Sequence, residues 1–386
     1  MDAGYKVDLF AYEKVISAVH HDSLIRYGLL ESVRYFVKPP VSKWLRLRTF
    51  FTWTWEHRKE LVWSRFFKTL NLLRYGKDAY TLKLFFESQW FLLPYNFELI
   101  HAHFGMNGNR IAYLKAKDII PESVKLINTF HGYDLEPDKL LDYTFDYSYL
   151  WKQAQAFTVN TPYLKGLLEQ LHLNNRSVFI LPVGLDTHFF KRQQNKREST
   201  YFDIVFCGRL ISFKAPDLAV SIIHALVQKG YTQVRLHIIG TGSMETALKA
   251  QVAVLGLDQH VLFYGSQDQK FIKSRFEQSD VFLLPGIEDP ETGRAETQGL
   301  VIQEAQAMAV PVVVSDVGGM KYGLLPNESG FVVEERNLDG FINVIELLIL
   351  NPKLQLIMGE KGRRFVVENY DNKVLANKLS AIYNSI

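Results

Sequence analysis

The stretch that most constrains this chain runs from Val281 to Gly319. Val281-Phe-Leu-Leu ends at Pro285 and reads as a buried strand. A polar, acidic loop follows. Gly299 then opens a helical pattern of Leu300, Val301, Ala305 and Met308 that stops before Pro311, and Val312 to Val314 make the next buried strand. Strand, helix and strand in that order form a βαβ unit. The sheet is therefore parallel, and the helix N-terminus lies at the carboxyl edge of the strands. Such an end attracts anions, because its first backbone N–H groups are unpaired. Glu296 and Glu304 flank it, eight residues apart. Carboxylates accept hydrogen bonds from sugar hydroxyls while amides hold phosphate, and a nucleotide-sugar carries both kinds of group.

At these residues the chain resembles the GT-B glycosyltransferases, specifically the large retaining family 4. That family's signature is two glutamates eight positions apart, then an apolar helix, a PVV strand and a Gly-Gly turn. Here it reads Glu296 to Glu304, Ala305-Gln-Ala-Met, Pro311-Val-Val and Gly318-Gly319. A bare pair of glutamates at that spacing is common, and either one alone reads as a solvated carboxylate. The ordered set carries the resemblance. One departure is Ala309-Val310 where the family usually has a glycine before the PVV strand, which alters a turn and not the chemistry.

The rest of the chain agrees with a folded α/β protein. Its 386 residues suggest two or three domains, and 47% hydrophobic residues describe a globular chain. The single cysteine, Cys207, excludes a disulfide framework and a cysteine-based metal site, and fits a reducing, cytoplasmic compartment. A net charge of +3 gives no case for nucleic acid. No apolar run reaches the ~18 residues that span a bilayer. No Asp-x-Asp pair, G-x-S-x-G or P-loop pattern occurs. The expected metal set and cofactor set are therefore both empty, with the nucleotide-sugar acting as substrate.

Lys6 to Phe10 alternates like a strand, and residues 11–98 read as helices with periodic Leu, Phe and Trp. Between Lys38 and Lys83 stand eleven Lys or Arg against three acids, and five of the six tryptophans (Trp44, Trp53, Trp55, Trp63, Trp90) fall in the same neighbourhood. Such a mixture suits the surface of an anionic membrane, so a peripheral place on its inner face is one expectation. The other is a helical insertion whose aromatics fill a core while its cations face water.

Leu99 to His103 reads as a strand running into Gly105, with Asn109 starting the next helix. Lys125 to Phe130 is another strand, ending in His131-Gly132-Tyr133-Asp134. Ligands of open α/β sheets bind at such carboxyl ends. Thr161-Pro162 follows the strand Ala156 to Asn160 as a helix start. The polar residues 191–200 read as an interdomain linker. Asp203 to Gly208 opens a second sheet, with Gly208-Arg-Leu and Lys214 after it and a helix from about Ala215. A guanidinium and an ammonium converge there, where a diphosphate would leave. Val234 to Ile239 turns at Gly240 and Gly242, Val261 to Tyr264 turns at Gly265, Gly330 to Val333 is a short strand, and Lys373 to Tyr383 a late helix.

The resemblance implies two Rossmann-like domains facing a cleft. Residues 1–190 would hold the acceptor and 201–364 the donor, and a helix in 365–386 would cross back. It implies that Arg209 and Lys214 stabilise a departing nucleotide diphosphate, that Glu296 meets the transferred sugar and that Glu304 binds ribose hydroxyls. His131 would line the cleft, with His103 and Gly105 on the acceptor side. Gly208, Gly240, Gly242, Gly265, Gly299, Leu300 and Val301 would shape the donor site. The reaction implied retains anomeric configuration by front-face attack, the leaving phosphate helping to take the acceptor's proton. The acceptor would be a glycan or a lipid-linked sugar in surface or exopolysaccharide synthesis, and the TFHGYD form of residues 129–134 resembles enzymes of that kind. Two other classes stay open: a GT-B epimerase that isomerises donor alone, and a protein that binds nucleotide-sugar and transfers nothing. Gly4-Tyr-Lys-Val7 resembles the family's second strand. The matching expectation is a chain that begins late and a first sheet lacking one central strand beside His103, unless residues 1–40 supply a replacement.

Overall fold

The computed structural model describes residues 4–13, 25, 27–171, 176–193 and 199–386. Parts of the helical stretch (14–24 and 26) and of the polar linker (194–198) lie outside the described residues. The alternation at Lys6 to Phe10 does not become a strand of that length. Only β1 (Phe10–Ala11) forms, pairing in parallel with β2 (Arg34–Tyr35) away from either main sheet. Alternation alone names no partner, and two paired residues end where the partner's register ends.

Between 43 and 91 the helical expectation holds for the described residues, chiefly in α1 (Lys43–His57), α2 (Trp63–Thr69) and α3 (Lys83–Ser88). They enclose a small aromatic cluster of Phe50, Phe66, Phe85 and Phe86. The first sheet then has four parallel strands in chain order: β3 (Leu99–His103), β4 (Lys125–Phe130), β5 (Ala156–Val159) and β6 (Ser177–Ile180). Among the described residues nothing pairs beyond β3, so the strand carrying His103 is an edge. Helix α4 (Gly105–Ala116) starts four residues ahead of the expected Asn109. Asn109 instead accepts from the N–H groups of Tyr149 and Leu150, tying α4 to α5 (Ser148–Gln153). Helix α6 (Pro162–Glu169) is capped by Thr161, whose hydroxyl accepts from Leu164 N.

The second sheet holds six parallel strands, ordered β12, β11, β10, β7, β8, β9. They are β7 (Phe202–Cys207), β8 (Val234–Ile239), β9 (Val261–Phe263), β10 (Val281–Leu284), β11 (Val312–Ser315) and β12 (Gly330–Val333). Residues of all six join one apolar core with the flanking helices α7 (Pro216–Gln228), α8 (Glu245–Val254), α9 (Gln269–Glu277), α10 (Leu300–Ala307), α11 (Leu338–Leu350) and α12 (Pro352–Tyr370). Strand order reverses between β7 and β10. That switch point is where a doubly wound sheet opens a crevice beyond its strand ends. Helix α13 (Asn372–Asn384) returns to the first sheet, where the Tyr383 hydroxyl lies 2.7 Å from His101 Nδ1.

Candidate functional site

The loops leaving β7 and β10 meet at the switch point. After β7 the chain passes Gly208 and Arg209 into a single 3-10 turn, Ser212–Lys214, which aims Lys214 across the crevice. After β10, residues 285–299 bring Glu296 opposite it, and the two side chains form an ion pair. The other oxygen of Glu296 accepts from Gly299 N at 3.1 Å, so both carboxylate oxygens are engaged. Gly299 caps α10 with φ of 70°, a conformation natural to glycine. A Cβ there would also crowd Ile302 and Glu296. Leu300 and Val301 follow at the pocket wall as the first turn of α10, where backbone N–H groups have no intrahelical partner.

The electrostatics suit a charged ligand. Burial, reinforced by the exposed Arg209 guanidinium, lowers the Lys214 ammonium to about 8. Glu304 is only 8% exposed, and burial raises its carboxyl to about 7. Among the described residues no side chain hydrogen-bonds that carboxylate. A buried acceptor without a partner is suited to hydroxyl donors brought by a ligand. The cleft encloses about 390 Å³.

The first sheet contributes the opposite wall. The Asp134 carboxylate accepts from the N–H groups of Gly105, His131 and Gly132 at 2.8 to 2.9 Å, fixing the loop after β4. Burial pushes that carboxyl up while these bonds hold it back. His131 lines the cleft, and its Nε2 lies 2.9 Å from His103 Nδ1. The rings of His101, His103 and His131 stack in sequence. Burial and the neighbouring imidazoles keep His101 and His103 neutral, at about 3 and about 4, and burial lowers His131.

Residues 294–298 seam the two walls together. The Thr297 hydroxyl donates to His131 O at 3.0 Å and receives Asn160 Nδ2 at 3.3 Å, while Thr297 O accepts from the Thr161 hydroxyl at 2.8 Å. The Gln298 amide makes two 2.8 Å bonds to the backbone of Val183. Arg294 pairs with Glu136 at 3.3 Å. Glu296 thus stands between residues anchored to the first half of the chain.

Of the residues read from sequence, His131, Gly208, Arg209, Lys214, Glu296, Gly299, Leu300, Val301 and Glu304 line this one cleft. His103 stands behind His131, and Gly105 behind Asp134. Gly240, Gly242 and Gly265 do not line the cleft. Gly240 and Gly242 let the turn after β8 lie directly on the backbone of Gly208 and Leu210, and Gly265 O receives Gly240 N. Sequence reasoning missed Arg294, Thr297 and Tyr163, which also line the cleft. For Thr297 the only signal was its place beside Glu296.

The chain is similar to known proteins in both sequence and fold. Residues 188–365 match the family described as glycosyl transferases group 1. The chain is similar to WcaL of Escherichia coli (strain K12), named as a colanic acid biosynthesis glycosyltransferase, with 26% identity over 390 residues covering 100% of this chain and 94% of that protein. It is also similar to the amylovoran biosynthesis glycosyltransferase AmsK of Erwinia amylovora, with 24% identity covering 87% of this chain and 81% of that one. Among solved structures, Anabaena HepE in complex with UDP and glucose superposes with a TM-score of 0.68 at 16% identity, covering 93% of this chain and 89% of that one. Sucrose-phosphate synthase from Thermosynechococcus elongatus gives a TM-score of 0.66 at 19% identity, over 81% and 79% of the two chains. With the switch-point site at residues 208–214 and 294–304, these likenesses identify the chain as a glycosyltransferase of the GT-B fold whose residues 188–365 match the group 1 glycosyl transferases.

Proposed function

We propose that this enzyme is a retaining, family 4-type transferase. It moves a sugar from a nucleotide-diphosphate sugar to a glycan or lipid-linked acceptor in surface or exopolysaccharide synthesis, on the inner face of a membrane. Residues 201–364 hold the donor, residues 1–190 the acceptor, and 365–386 brace the two. The observation that carries the reading is the convergence of Lys214, Glu296, Glu304 and the α10 N-terminus in one cleft.

Each group has a chemical task. Lys214, Arg209 and the first turn of α10 take the charge of the departing diphosphate, an electrostatic role that works best where water is excluded. Arriving phosphate replaces Glu296 as the partner of Lys214 and frees that carboxylate for the sugar's hydroxyls. Glu304 accepts from the ribose. His131, held neutral by burial, hydrogen-bonds the transferred sugar from the other wall. With Glu296 committed to the sugar's hydroxyls, the reaction runs by front-face attack assisted by the leaving phosphate, without a glycosyl-enzyme intermediate. Relatives named for colanic acid and amylovoran synthesis support the acceptor class.

A thermal-shift panel of UDP-, GDP-, ADP- and dTDP-sugars tests the donor site, since a ligand at 100 times its dissociation constant stabilises by ~2.7 kcal/mol. Turnover with the donor so found, and the anomeric configuration of the product by NMR, test the chemistry. An isomerised donor in the absence of acceptor, or binding with no transfer to any glycan or lipid-linked sugar, overturns the reading.

A further inference from the structure

Helix α1 is apolar on two opposite faces, and only one of them is covered. Residues three and four apart share a helix face. The inward set is Arg46, Phe50, Trp53 and His57. Phe50 lies 4.6 Å and Trp53 5.4 Å, ring to ring, from Phe85, and Arg46 donates to the carbonyls of Pro40 and Thr81. The opposite set is Trp44, Leu47, Phe51 and Trp55. All four face solvent, with Trp44 84%, Phe51 66% and Trp55 69% exposed. On α2, Trp63 and Phe67, stacked at 5.7 Å, are also exposed.

Scattered exposed hydrophobes are ordinary; a contiguous stripe of large aromatics is not. Among the described residues every exposed tryptophan, and two of the three exposed phenylalanines, lie between 44 and 67. Exposed cations flank the stripe at Lys43, Arg48, Arg58 and Lys59, and the Arg58 guanidinium sits 4.1 Å over the Trp55 ring. Across residues 38–83 the eleven basic residues outnumber three acids. Tryptophan prefers the polar–apolar boundary of a bilayer, and basic side chains are drawn to anionic headgroups.

We propose that the outer stripe of α1 is a membrane-docking face that lies in the interface of an anionic bilayer. The inference rests on the membrane part of the proposed function and gives it a specific surface. It is independent of the donor chemistry. The helix keeps its inward face on the aromatic cluster and lays the other among acyl chains and headgroups, so the protein docks without unfolding.

Vesicle co-sedimentation with the full-length protein tests this. Binding to vesicles of phosphatidylglycerol and phosphatidylcholine should exceed binding to phosphatidylcholine alone by about tenfold or more, and fall with salt. Trp44→Ser with Trp55→Ser should abolish most of it, while melting temperature and the nucleotide-induced thermal shift stay as in the wild type. Arg48→Glu with Lys59→Glu should remove the preference for anionic lipid. Undiminished binding by the double serine variant overturns the proposal. So does wild-type self-association that the same substitutions abolish, since a second copy would then cover the stripe. A failed nucleotide panel alongside intact vesicle binding would refute the donor reading alone.

Discussion

The two halves of this enzyme handle apolar residues differently. The second sheet gathers its strands and helices into one core, and at its cleft Lys214 is held by Glu296 and Arg294 by Glu136. The first half splits its core between the sheet and a satellite cluster beneath α1, then leaves aromatics exposed. On the proposed reading, the difference reflects what each half meets. A small, highly charged donor is met by a few fixed charges at strand ends, which need a rigid scaffold behind them. A large amphiphilic surface is met by area, which needs only a helix with a spare face.

The largest expected effect lies on the donor side. Lys214→Ala should lower kcat by ~10²- to 10³-fold, because one electrostatic contact to a developing charge is commonly worth ~3 kcal/mol. Nucleotide-release assays alongside thermal melts check this, and near-normal turnover would break the assignment of donor chemistry to the second half. Chelator should leave wild-type turnover unchanged if Lys214, Arg209 and α10 meet the leaving charge.

Next comes the seam between the halves. Gly132 has φ of 123°, and a Cβ there would stand 2.4 Å from Thr297 Cγ2. Gly132→Ala should therefore separate the walls and cost activity without unfolding either sheet. Thr297→Val removes the bond to His131 O, and a tenfold loss in kcat is expected at ~1.4 kcal/mol, with recovery in Thr297→Ser. A change in donor KM alone would show that the seam serves binding and not alignment.

The pH dependence sharpens the contrast further. Lys214 is charged below its value of about 8, so the donor KM should rise above pH 8, and the limb should move to higher pH in Lys214→Arg. Glu304 titrates with the opposite consequence for folding. Its folded value of about 7 lies above the ordinary 4.5, so the ionised, buried carboxylate weakens the fold as pH rises through that interval. Glu304→Gln should stabilise by roughly 1–3 kcal/mol at pH 8 and by little near pH 4.5, while losing nucleotide affinity. Melting temperatures across that range decide it. An equal gain at both pH values would assign the effect to something other than charge burial.

The smallest effect concerns Ala309. It ends α10 with φ of 56°, and Val310 N and Ala309 N bond back to Ala305 O and Gln306 O in the pattern that favours glycine at this position. Ala309→Gly should stabilise by about 1 kcal/mol or less, read as a small rise in melting temperature with kcat unchanged.

The departure at Ala309 could be read from the sequence because the turn is local. The strands of the second sheet were legible for a related reason. A strand covered on both faces is a continuous apolar run, and Val281 to Leu284 and Val312 to Val314 match their observed extents to within a residue. Lys214, Glu296 and Glu304 could be found because local motifs carry them. Thr297 and Arg294 could not, because their partners lie more than a hundred residues away, and Tyr163 could not, because it joins the cleft from the other half of the chain; no periodicity encodes such a meeting. The sorting of the tryptophans was equally hidden. Trp53 and Trp90 pack inward while Trp44 and Trp55 face out, and a helix apolar on both sides offers no pattern to say which side is covered.

The seam that holds Glu296 has a thermodynamic consequence. Its contacts at Thr297, Gln298 and Arg294 are hydrogen bonds and one ion pair, all between groups that water can satisfy when the walls part. Parting these groups hydrates polar surface, which adds no positive heat capacity of its own. The balance between open and closed enzyme should then be nearly flat with temperature and respond instead to ionic strength, through Arg294 and Glu136. If release of the spent nucleotide requires those walls to part, it would share that signature, and a turnover limited by release would quicken with moderate salt.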